Sequence, residues 1–578
     1  MQPTYIKPGS KEIAQLSANF CRCADWSSLH IHPQTDLSRL RNVSFEGENF
    51  IGLLDRNDDI IENALLCNCH IGDNVKIRNV SIGLFNCVVG AGARIENVGR
   101  IEFEKESLCG VGTEVAVLDE TGSRPVMIFP GLTAQIALLM AREPKWCENH
   151  FRPILNDYLD SHDYFTGIGE EAVIENAPLL FNVSVGKEVK VIGPTNLRNG
   201  TIVNNAARGR CLAYVGSGVD AENFIIEDGR VDSGSIVRNC FVGQGASLEK
   251  GFSAHDSLFF ANCSLENGEA CALFAGPYTV SMHKSTLLIG CQTSFMNAGS
   301  GTNQSNHMYK LGPVHWGILE RGVKTSSAAY LMLGAKIGAF SLLMGQHKTH
   351  PDSSQFPFSY LFGDDRGATV VVPGVMLRSC GLMRDEKKWP ARDRRVKRKL
   401  PLHDRVVFDV LNPLTVEAML TALDVIDELL SRPADDDRFL RYRGMKFTRA
   451  SLERARHLYE LAIYKYLFLR THDKGFPEKA SPSEAGDWID MAGLLLPRKY
   501  LEEAMSKDSL EGMKSVFDTA FEHYPALERE WIASRFCDRW RRSPEVIAAY
   551  ASDFDRMIDD DRHRYLEDLA AQTEMLRL

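Results

Sequence analysis

The sequence lacks several features that would place the chain outside the ordinary globular class. It has no run of 18 apolar residues, so no transmembrane helix is expected. Its first residues, MQPTYIKPGSKEIAQLS, lack the apolar core of a signal peptide, and we therefore expect a cytoplasmic protein. A net charge of −10 argues against a general nucleic-acid binder.

Zinc-type cysteine pairs are absent as well. The 14 cysteines are scattered, and the closest pairs, in CRC at 21–23 and CNC at 67–69, have a single residue between them. One intervening residue is too few for the usual zinc knuckle, so the sequence predicts reduced, mostly buried thiols. With 578 residues and 44% hydrophobic content, the chain is long enough for roughly two to four domains.

What the sequence does contain is a repeat in which an aliphatic residue is followed by glycine. Examples are IGDNVK at 71, VGAGAR at 89, VGKEVK at 185, VGSGVD at 215 and IGAFSL at 337. Several spacings are multiples of six: 71 to 89 is 18, and 185 to 215 is 30. Each hexad predicts a short strand and a turn, with the aliphatic residue inside a narrow prism and three hexads in each coil.

These hexads, of the form [VIL]-G-x-x-[VAS]-x, resemble the left-handed parallel β-helix of the hexapeptide-repeat transferases. The resemblance covers roughly residues 40–125 and 168–380. The whole chain is similar to large bacterial hexapeptide-repeat proteins known only as a domain of unknown function. The resemblance implies a mainly β fold, a left-handed parallel β-helix with a helical insertion and an α-helical C-terminal domain. It also implies a homotrimer.

Segments without the repeat divide the chain. Residues 131–159 contain two helical apolar patterns on either side of Pro144, and Asn412 and Pro413 predict the N-cap and first residue of a long helix. The predicted organisation is a helical cap at 1–40, a first β-helix part at 41–125, a helical insertion at 126–167, the main β-helix at 168–382, a basic linker at 383–401 and an α-helical domain at 402–578.

The basic linker, MRDEKKWPARDRRVKRKLP, has nine Lys or Arg residues against three acids. A charge run of this kind has two interpretations. It is either a solvated connection between domains or a positively charged surface that binds phosphates or another anionic group.

The strongest chemical signal is a histidine-rich region between residues 283 and 352. The stretch SGTNQSNHMYKLGPVHWG at 300–317 is polar, whereas its flanks are aliphatic. An apolar prism cannot hold such side chains without a large desolvation cost. We therefore expect residues 297–313 to project as a loop from one corner of the solenoid. The histidines of the region, which should lie near one another after two or three coils, are His283, His307, His315, His347 and His350.

Hexapeptide-repeat acyltransferases have a similar arrangement, in which a histidine takes a proton from a hydroxyl or amine that then attacks a thioester. The resemblance implies that His307 is the base, with His315 and His347 in support. It also implies an acyl-CoA or acyl carrier protein as donor and a sugar or nucleotide-sugar amine or hydroxyl as acceptor. The residues expected to bind substrate are Asn303, Asn306, Lys310, Arg321, Lys348, His283 and His350.

Two alternatives remain open at this point. The repeat fold also carries carbonic-anhydrase-like metal sites, and His315, His347 and His350 would be the ligands of such a site. The protein could instead be a scaffold that binds a sugar nucleotide without catalysis. A nucleotidyltransferase is rejected, because residues 1–70 contain no glycine-rich phosphate loop.

Overall fold

A computed structural model describes residues 5–161, 164–305, 316–433, 438–479, 486–536 and 538–575. Over these residues the chain is mainly β: a long parallel solenoid, an insertion along its outside, and a C-terminal region with many helices. The predicted parallel solenoid and the predicted C-terminal helices are therefore confirmed. No helix in the described ranges combines the length and the apolar character needed to cross a bilayer.

The first part of the solenoid starts behind a short helix, α1 (Ser10–Ala18), which buries Leu16. The strands then follow in parallel pairs. They are β1 (Arg22–Cys23), β2 (Leu29–Ile31), β3 (Leu40–Glu46), β4 (Asn49–Ile51), β5 (Ile60–Cys67), β6 (His70–Ile71), β7 (Lys76–Phe85), β8 (Val88–Val89) and β9 (Arg94–Glu102).

Aliphatic residues stack in rows from coil to coil. Parallel pairing aligns Ile61 with Ile77 and Ile77 with Ile95, and all three are fully buried. The step from 61 to 77 is 16 residues and that from 77 to 95 is 18, so one of the two steps is three whole hexads and the other is not. The rows stay aligned because the β5–β7 pairing shifts register between Glu62 and Leu66, where an irregularity takes up the difference in length. Stacking removes apolar surface from water on every coil, which is the main stabilising contribution.

Asparagine side chains form ladders along one corner of the solenoid. The Asn63 Nδ2 group donates to Asn79 Oδ1 at 2.9 Å, and Asn79 Nδ2 donates to Asn97 Oδ1 at 3.1 Å. These residues have φ angles of 54° to 56°, a left-handed conformation that asparagine adopts more readily than most residues. A second ladder contains Asn199, Asn223, Asn239 and Asp256.

Two substitutions of Asn223 should separate the contribution of its side-chain hydrogen bonds to stability from that of its left-handed backbone conformation. Asn223→Ala loses two amide hydrogen bonds and places a Cβ-bearing residue at a φ of 54°, so we expect a loss of about 2–3 kcal/mol. Asn223→Gly loses the hydrogen bonds only and should cost about 1 kcal/mol less than the alanine variant. Urea unfolding followed by circular dichroism measures both, and equal losses would contradict a role for the φ angle.

An insertion leaves the solenoid after β9 and returns at the next coil, where Val173 lies beside Arg94. The excursion starts earlier than the predicted 126–167, because residues 114–127 form an antiparallel hairpin instead of another coil. Its elements are β10 (Glu114–Ala116), β11 (Pro125–Met127), α2 (Ala134–Arg142), α3 (Pro144–Trp146), a π-helical turn (Cys147–Phe151) and α4 (Arg152–Ser161).

The main part of the solenoid continues with parallel strands to residue 363 and ends in an antiparallel pair. The strands are β12 (Val173–Glu175), β13 (Leu179–Val185), β14 (Lys190–Ile192), β15 (Asn196–Val203), β16 (Tyr214–Val215), β17 (Asp220–Glu227), β18 (Arg230–Val231), β19 (Ile236–Val242), β20 (Ser247–Glu249), β21 (Ser253–Phe259), β22 (Ser264–Glu266), β23 (Glu269–Cys271), β24 (Phe274–Ala275), β25 (Val280–Ser281), β26 (Leu287–Ile289), β27 (Cys291–Thr293), β28 (Asn297–Ala298), β29 (Asn303–Ser305), β30 (Gly317–Leu319), β31 (Lys324–Thr325), β32 (Tyr330–Met332), β33 (Lys336–Ile337), β34 (Leu342–Met344), β35 (Gln346–His347), β36 (Tyr360–Gly363) and β37 (Thr369–Val372).

The basic segment is docked on the solenoid and does not run free in solvent. It forms α5 (Cys380–Ala391) and α6 (Arg394–Arg398). The Arg394 guanidinium donates to the Gly245 carbonyl at 2.6 Å and to Ser264 Oγ at 2.9 Å. Arg395 is 2% exposed. The solvated-linker interpretation therefore does not describe these two arginines, because the solenoid supplies acceptors for Arg394, and Asp393 and the Asp404 carbonyl supply them for Arg395.

The C-terminal region combines helices with two β-hairpins. Asn412 and Pro413 are the N-cap and first residue of its first helix, as predicted. The strand at 445–447 pairs with β37, so this region also extends the solenoid sheet. The elements are α7 (Pro413–Ser431), β38 (Leu440–Tyr442), β39 (Met445–Phe447), α8 (Arg449–Thr471), β40 (Trp488–Met491), β41 (Leu494–Pro497), α9 (Arg498–Met505), α10 (Leu510–Glu522), α11 (Tyr524–Arg535) and α12 (Pro544–Met575).

Helix α2 joins the three parts of the molecule. All of its residues except Arg142 are buried. Gln135 donates to the carbonyl of Met491 in β40 at 3.1 Å, and Arg142 donates to Gln292 Oε1 in β27 at 2.8 Å. The insertion is thus enclosed between the solenoid and the C-terminal region, and it holds one against the other.

Candidate functional site

The polar stretch at 300–317 begins and ends in the solenoid. Strands β28 and β29 occupy residues 297–305 and pair with neighbouring coils, so this part of the predicted loop is wrong. The polar side chains of Thr302 and Thr325 are tolerated inside the solenoid, because their buried hydroxyls hydrogen-bond to each other at 2.6 Å. The central segment of the polar stretch lies outside the described residues, and with it the predicted site residues Asn306, His307, Lys310 and His315.

Of the three described histidines of this region, the structure brings two, His283 and His350, to corners that the polar stretch shares. His350 Nδ1 lies 2.7 Å from the carbonyl of Leu333, and the next residue, Gly334, donates to the carbonyl of Trp316. His283 is exposed in the turn between β25 and β26, which stacks on the turn at 299–302 where the stretch begins. His350 is therefore the one that shares a corner with the end of the stretch.

His347 lies inside the solenoid. It is 0% exposed, and its Nδ1 is 2.9 Å from the hydroxyl of Thr369. Burial lowers the pKa of His347 to about 4, so the ring is neutral at neutral pH. Among the residues that the structure describes, no three His, Cys, Asp or Glu side chains converge as metal ligands. His315, a member of the alternative metal set, lies outside those residues.

The remaining predicted binding residues are spread over the molecule. Arg321 is 1% exposed and lies between the solenoid and the C-terminal region, where its guanidinium stacks on Phe295 at 5.0 Å and donates to the carbonyl of Val407. Lys348 is exposed near the end of the solenoid, and Asn303 pairs within the sheet. The structure does not bring these side chains together.

The cavity that fits a binding site best lies between the solenoid and the C-terminal region. This interface cleft has a volume of about 500 Å³, which is within the usual range for small-molecule sites. Glu320 and Lys336 form its solenoid wall, and Trp488, Arg498 and helix α11 form the opposite wall. It therefore contains both acidic and basic side chains in a partly enclosed space.

Glu320 is fixed at the wall of the interface cleft. It follows β30 directly, its Oε2 accepts the Ala339 N–H at 3.1 Å, and its Oε1 lies 3.6 Å from Lys336 Nζ. Its side chain is 22% exposed. Burial raises the pKa of Glu320 to about 7 despite the opposing effect of Lys336. A carboxyl with such a pKa can both accept and release a proton at neutral pH.

The opposite wall supplies positive charge. Arg498 is exposed at the first position of α9 and makes no side-chain hydrogen bond or ion pair within the described part of the chain. Arg535 is already paired with Glu417, in a fork-to-fork contact of 2.5 and 2.8 Å. Arg498 is thus the cation that is available to an anionic group in the cleft.

Trp488 contributes an unpaired donor. Its side chain is 7% exposed, and its buried indole N–H has no hydrogen-bond partner among the described residues. An unsatisfied buried donor costs about 1–3 kcal/mol. A ligand oxygen in the cleft would remove this cost, so Trp488 favours occupancy by a molecule that carries an acceptor.

A second titratable pair lies in a smaller cavity of about 150 Å³. His403 Nδ1 is 3.2 Å from Glu227 Oε1, and this carboxylate also accepts the Gly131 N–H at 2.9 Å. Burial acts against both charges, yet their mutual attraction leaves the pKa of His403 raised and that of Glu227 lowered. The space is too small for a sugar-sized ligand, so the pair is better placed to join the insertion to the solenoid.

The sequence gives little sign of the interface cleft. Glu320 is an acid that directly follows an apolar strand in GILERG, and Arg498 follows a proline in LLLPRKY. Neither short stretch is distinctive. The two residues are brought together only by the docking of the C-terminal region, which local patterns do not predict.

Comparison with known families gives one match and supplies no activity. Comparison with curated proteins gives no match. Residues 5–430, which include the whole solenoid, the insertion, the basic segment and most of α7, match a family described as a domain of unknown function (DUF4954). The matched region is well over half of the 578 residues, and the chain therefore belongs to the DUF4954 family.

Proposed function

We propose that the protein is an acyltransferase whose acceptor binds in the interface cleft. Two observations support this. The repeat resembles that of the hexapeptide-repeat acyltransferases, and the cleft contains a carboxyl that can act as a base at neutral pH. The observation that carries the proposal is Glu320, whose pKa is raised to about 7 by burial at the wall of a 500 Å³ cleft.

In the proposed reaction, Glu320 takes a proton from the amine or hydroxyl of the acceptor. The freed nitrogen or oxygen attacks the carbonyl carbon of an acyl-CoA or acyl carrier protein thioester, and a new amide or ester bond forms. The carbon–sulfur bond breaks, and the departing thiolate takes the proton from Glu320. Arg498 binds an anionic group of the acceptor, such as a nucleotide-sugar phosphate, and Trp488 donates to an acceptor oxygen.

His307 is the competing base, on the resemblance alone, with His315 and His347 in support. The resemblance also supports left-handed winding of the solenoid and assembly as a homotrimer. Single substitutions of Glu320 and of His307 distinguish the two candidate bases.

Release of free thiol from acyl-CoA, with a panel of nucleotide sugars as acceptors, tests the proposal. Glu320→Gln should lower the rate by about 10²–10⁴-fold, the range for loss of a general base. Glu269→Gln is a matched control, because Glu269 is exposed on β23 and outside the cleft. Normal activity in Glu320→Gln together with loss in His307→Ala would move the base to the polar stretch. No thiol release with any acceptor would rule out this acyl transfer.

A further inference from the structure

The C-terminal region contains a second cavity that the proposed reaction does not use. This helical-domain cavity has a volume of about 640 Å³ and lies between the end of α8, the segment before α7, and α11. Helix α11 separates it from the interface cleft: Trp531 and Arg535 line the cleft, whereas Tyr524 and Glu528 line the cavity. The two spaces are therefore distinct sites that share one wall.

A half-buried arginine organises the inner wall of the helical-domain cavity. The Arg470 guanidinium donates to Asp409 Oδ2 at 2.5 Å and to Glu528 Oε2 at 2.7 Å. Its charge is thus already matched by two carboxyl groups. This arrangement leaves no cation at the inner wall to attract an anionic group, so the inner end of the cavity is suited to neutral polar groups.

Two buried oxygen atoms at the inner wall lack partners. Glu528 is 3% exposed, and its Oε1 makes no hydrogen bond to any described residue. Tyr524 is 8% exposed, and its hydroxyl has no partner in the same set. Tyr466 lies against Arg470 near the Glu528 carboxyl, but without an aligned hydrogen bond. Such groups are rarely left unsatisfied in a native protein, so they point to a ligand.

The chemistry of these two atoms selects the ligand group. A hydroxyl can donate to the Glu528 carboxylate and accept from the Tyr524 hydroxyl at the same time, whereas an aliphatic or purely acceptor group cannot. Burial raises the pKa of Glu528 to about 7, although Arg470 opposes the shift. The carboxyl can therefore act as an acceptor or as a donor to adjacent hydroxyls of a polyol.

The rim of the cavity carries two cations, Lys474 and Arg529, alongside two acids, Asp473 and Glu522. Lys474 is exposed and makes no side-chain hydrogen bond or ion pair within the described ranges. Arg529 donates to the Lys474 backbone carbonyl at 3.3 Å. Of the rim acids, Asp473 lies 3.1 Å from His472 Nε2, and Glu522 is further along the rim. Lys474 and Arg529 together can hold a phosphate at the mouth while the hydroxyls of the same molecule reach inside.

We propose that the helical-domain cavity binds a phosphorylated polyol of sugar-phosphate size. The hydroxyls contact Glu528 and Tyr524, and the phosphate contacts Lys474 and Arg529. The Tyr524 ring also contacts the Trp488 ring edge-on at a centroid distance of 5.7 Å. Tyr524 therefore lies between a ligand in this cavity and Trp488, a residue of the interface cleft. The proposed binding does not depend on acyl transfer.

Isothermal titration calorimetry on the full chain tests this site, with glucose 6-phosphate, ribose 5-phosphate and glycerol 3-phosphate as probes. At least one probe should bind with measurable heat. Tyr524→Phe keeps the ring against Trp488 but removes the hydroxyl, and should weaken binding by about 10-fold. Lys474→Gln should weaken binding of the phosphorylated probe by a similar factor. It should not change the thermal unfolding midpoint, because Lys474 is exposed.

Tyr500→Phe is the control, since Tyr500 lies in α9 and lines neither cavity. It should bind the probes as the wild-type protein does. Absence of binding by all three probes would overturn the proposal. Equal affinity in the wild type, Tyr524→Phe and Lys474→Gln would also overturn it, because the molecule would then bind elsewhere. Neither outcome bears on thiol release, so this test is separate from that of the proposed function.

Discussion

Replacing Arg395 with methionine is expected to destabilise the protein by about 3–5 kcal/mol, the cost of breaking a buried ion pair. Arg395 is 2% exposed, and its guanidinium donates to both oxygens of Asp393, at 3.1 and 2.8 Å. Asp393 is itself 3% exposed. The variant therefore leaves a carboxylate buried without its counter-charge. Although burial opposes ionisation, Arg395 lowers the pKa of Asp393 to about 2, so the acid is ionised at neutral pH.

The loss should be large because the pair belongs to a network that joins all parts of the chain. Arg395 also donates to the carbonyl of Asp404 at 2.9 Å. The Asp404 side chain accepts the N–H groups of Ala134 in the insertion, at 2.7 Å, and of Ala261 in the solenoid, at 3.0 Å. Displacement of the arginine therefore disturbs the attachment of both elements.

Arg398 provides the matched control for Arg395. It belongs to the same short helix but is exposed, and it makes no side-chain hydrogen bond or ion pair with any described residue. Arg398→Met should change the unfolding free energy by less than about 0.5 kcal/mol. Chemical unfolding of both variants and the wild type measures the difference. Equal stability of all three would show that the buried pair does not anchor the basic segment.

The solenoid could be predicted because its signal is local and repeated. Every hexad, such as VGAGAR at 89, carries its own aliphatic residue and its own small corner residue. The asparagine ladders have a comparable signal that our sequence interpretation missed. Asn79 and Asn97 in the first ladder, and Asn199 and Asn223 in the second, each follow Arg or Glu, in RN or EN pairs.

The binding sites could not be predicted in the same way, because they depend on contacts between distant segments. Glu320 is in the solenoid and Arg498 in the C-terminal region, and no spacing in the sequence connects them. The histidines of this region stand out by composition, yet His347 is buried in the solenoid, and His283 and His350 lie at different corners. Residue type indicated chemistry, but tertiary packing decided which side chains meet.

The second large prediction concerns stability and pH. Glu320→Gln is expected to raise the free energy of unfolding at about pH 8 by about 2–3 kcal/mol relative to the wild type, because 1 pKa unit corresponds to about 1.4 kcal/mol. The pKa of Glu320 rises from 4.5 in the unfolded chain to about 7 in the folded protein. The estimate is reduced from the full shift because the side chain is 22% exposed.

The direction follows from proton binding. Since the folded state holds the proton more tightly than the unfolded state, the stabilising contribution of protonated Glu320 is fully present below pH 4.5 and is lost as the pH rises to about 7. Glutamine resembles the protonated acid and does not lose this contribution. The difference between variant and wild type should therefore be small near pH 4.5 and should reach its maximum above about pH 7.

Thermal and urea unfolding of both proteins across this pH range measure the difference directly. Glu269→Gln, on the exposed side of β23, is measured alongside as the control for the same chemical change outside the cleft. A constant difference for Glu320→Gln would mean that its carboxyl has an ordinary pKa, and the interface cleft would then lack its base. A variant that is more stable at pH 8 yet inactive would show that the protein retains a destabilising buried carboxyl because the reaction requires it.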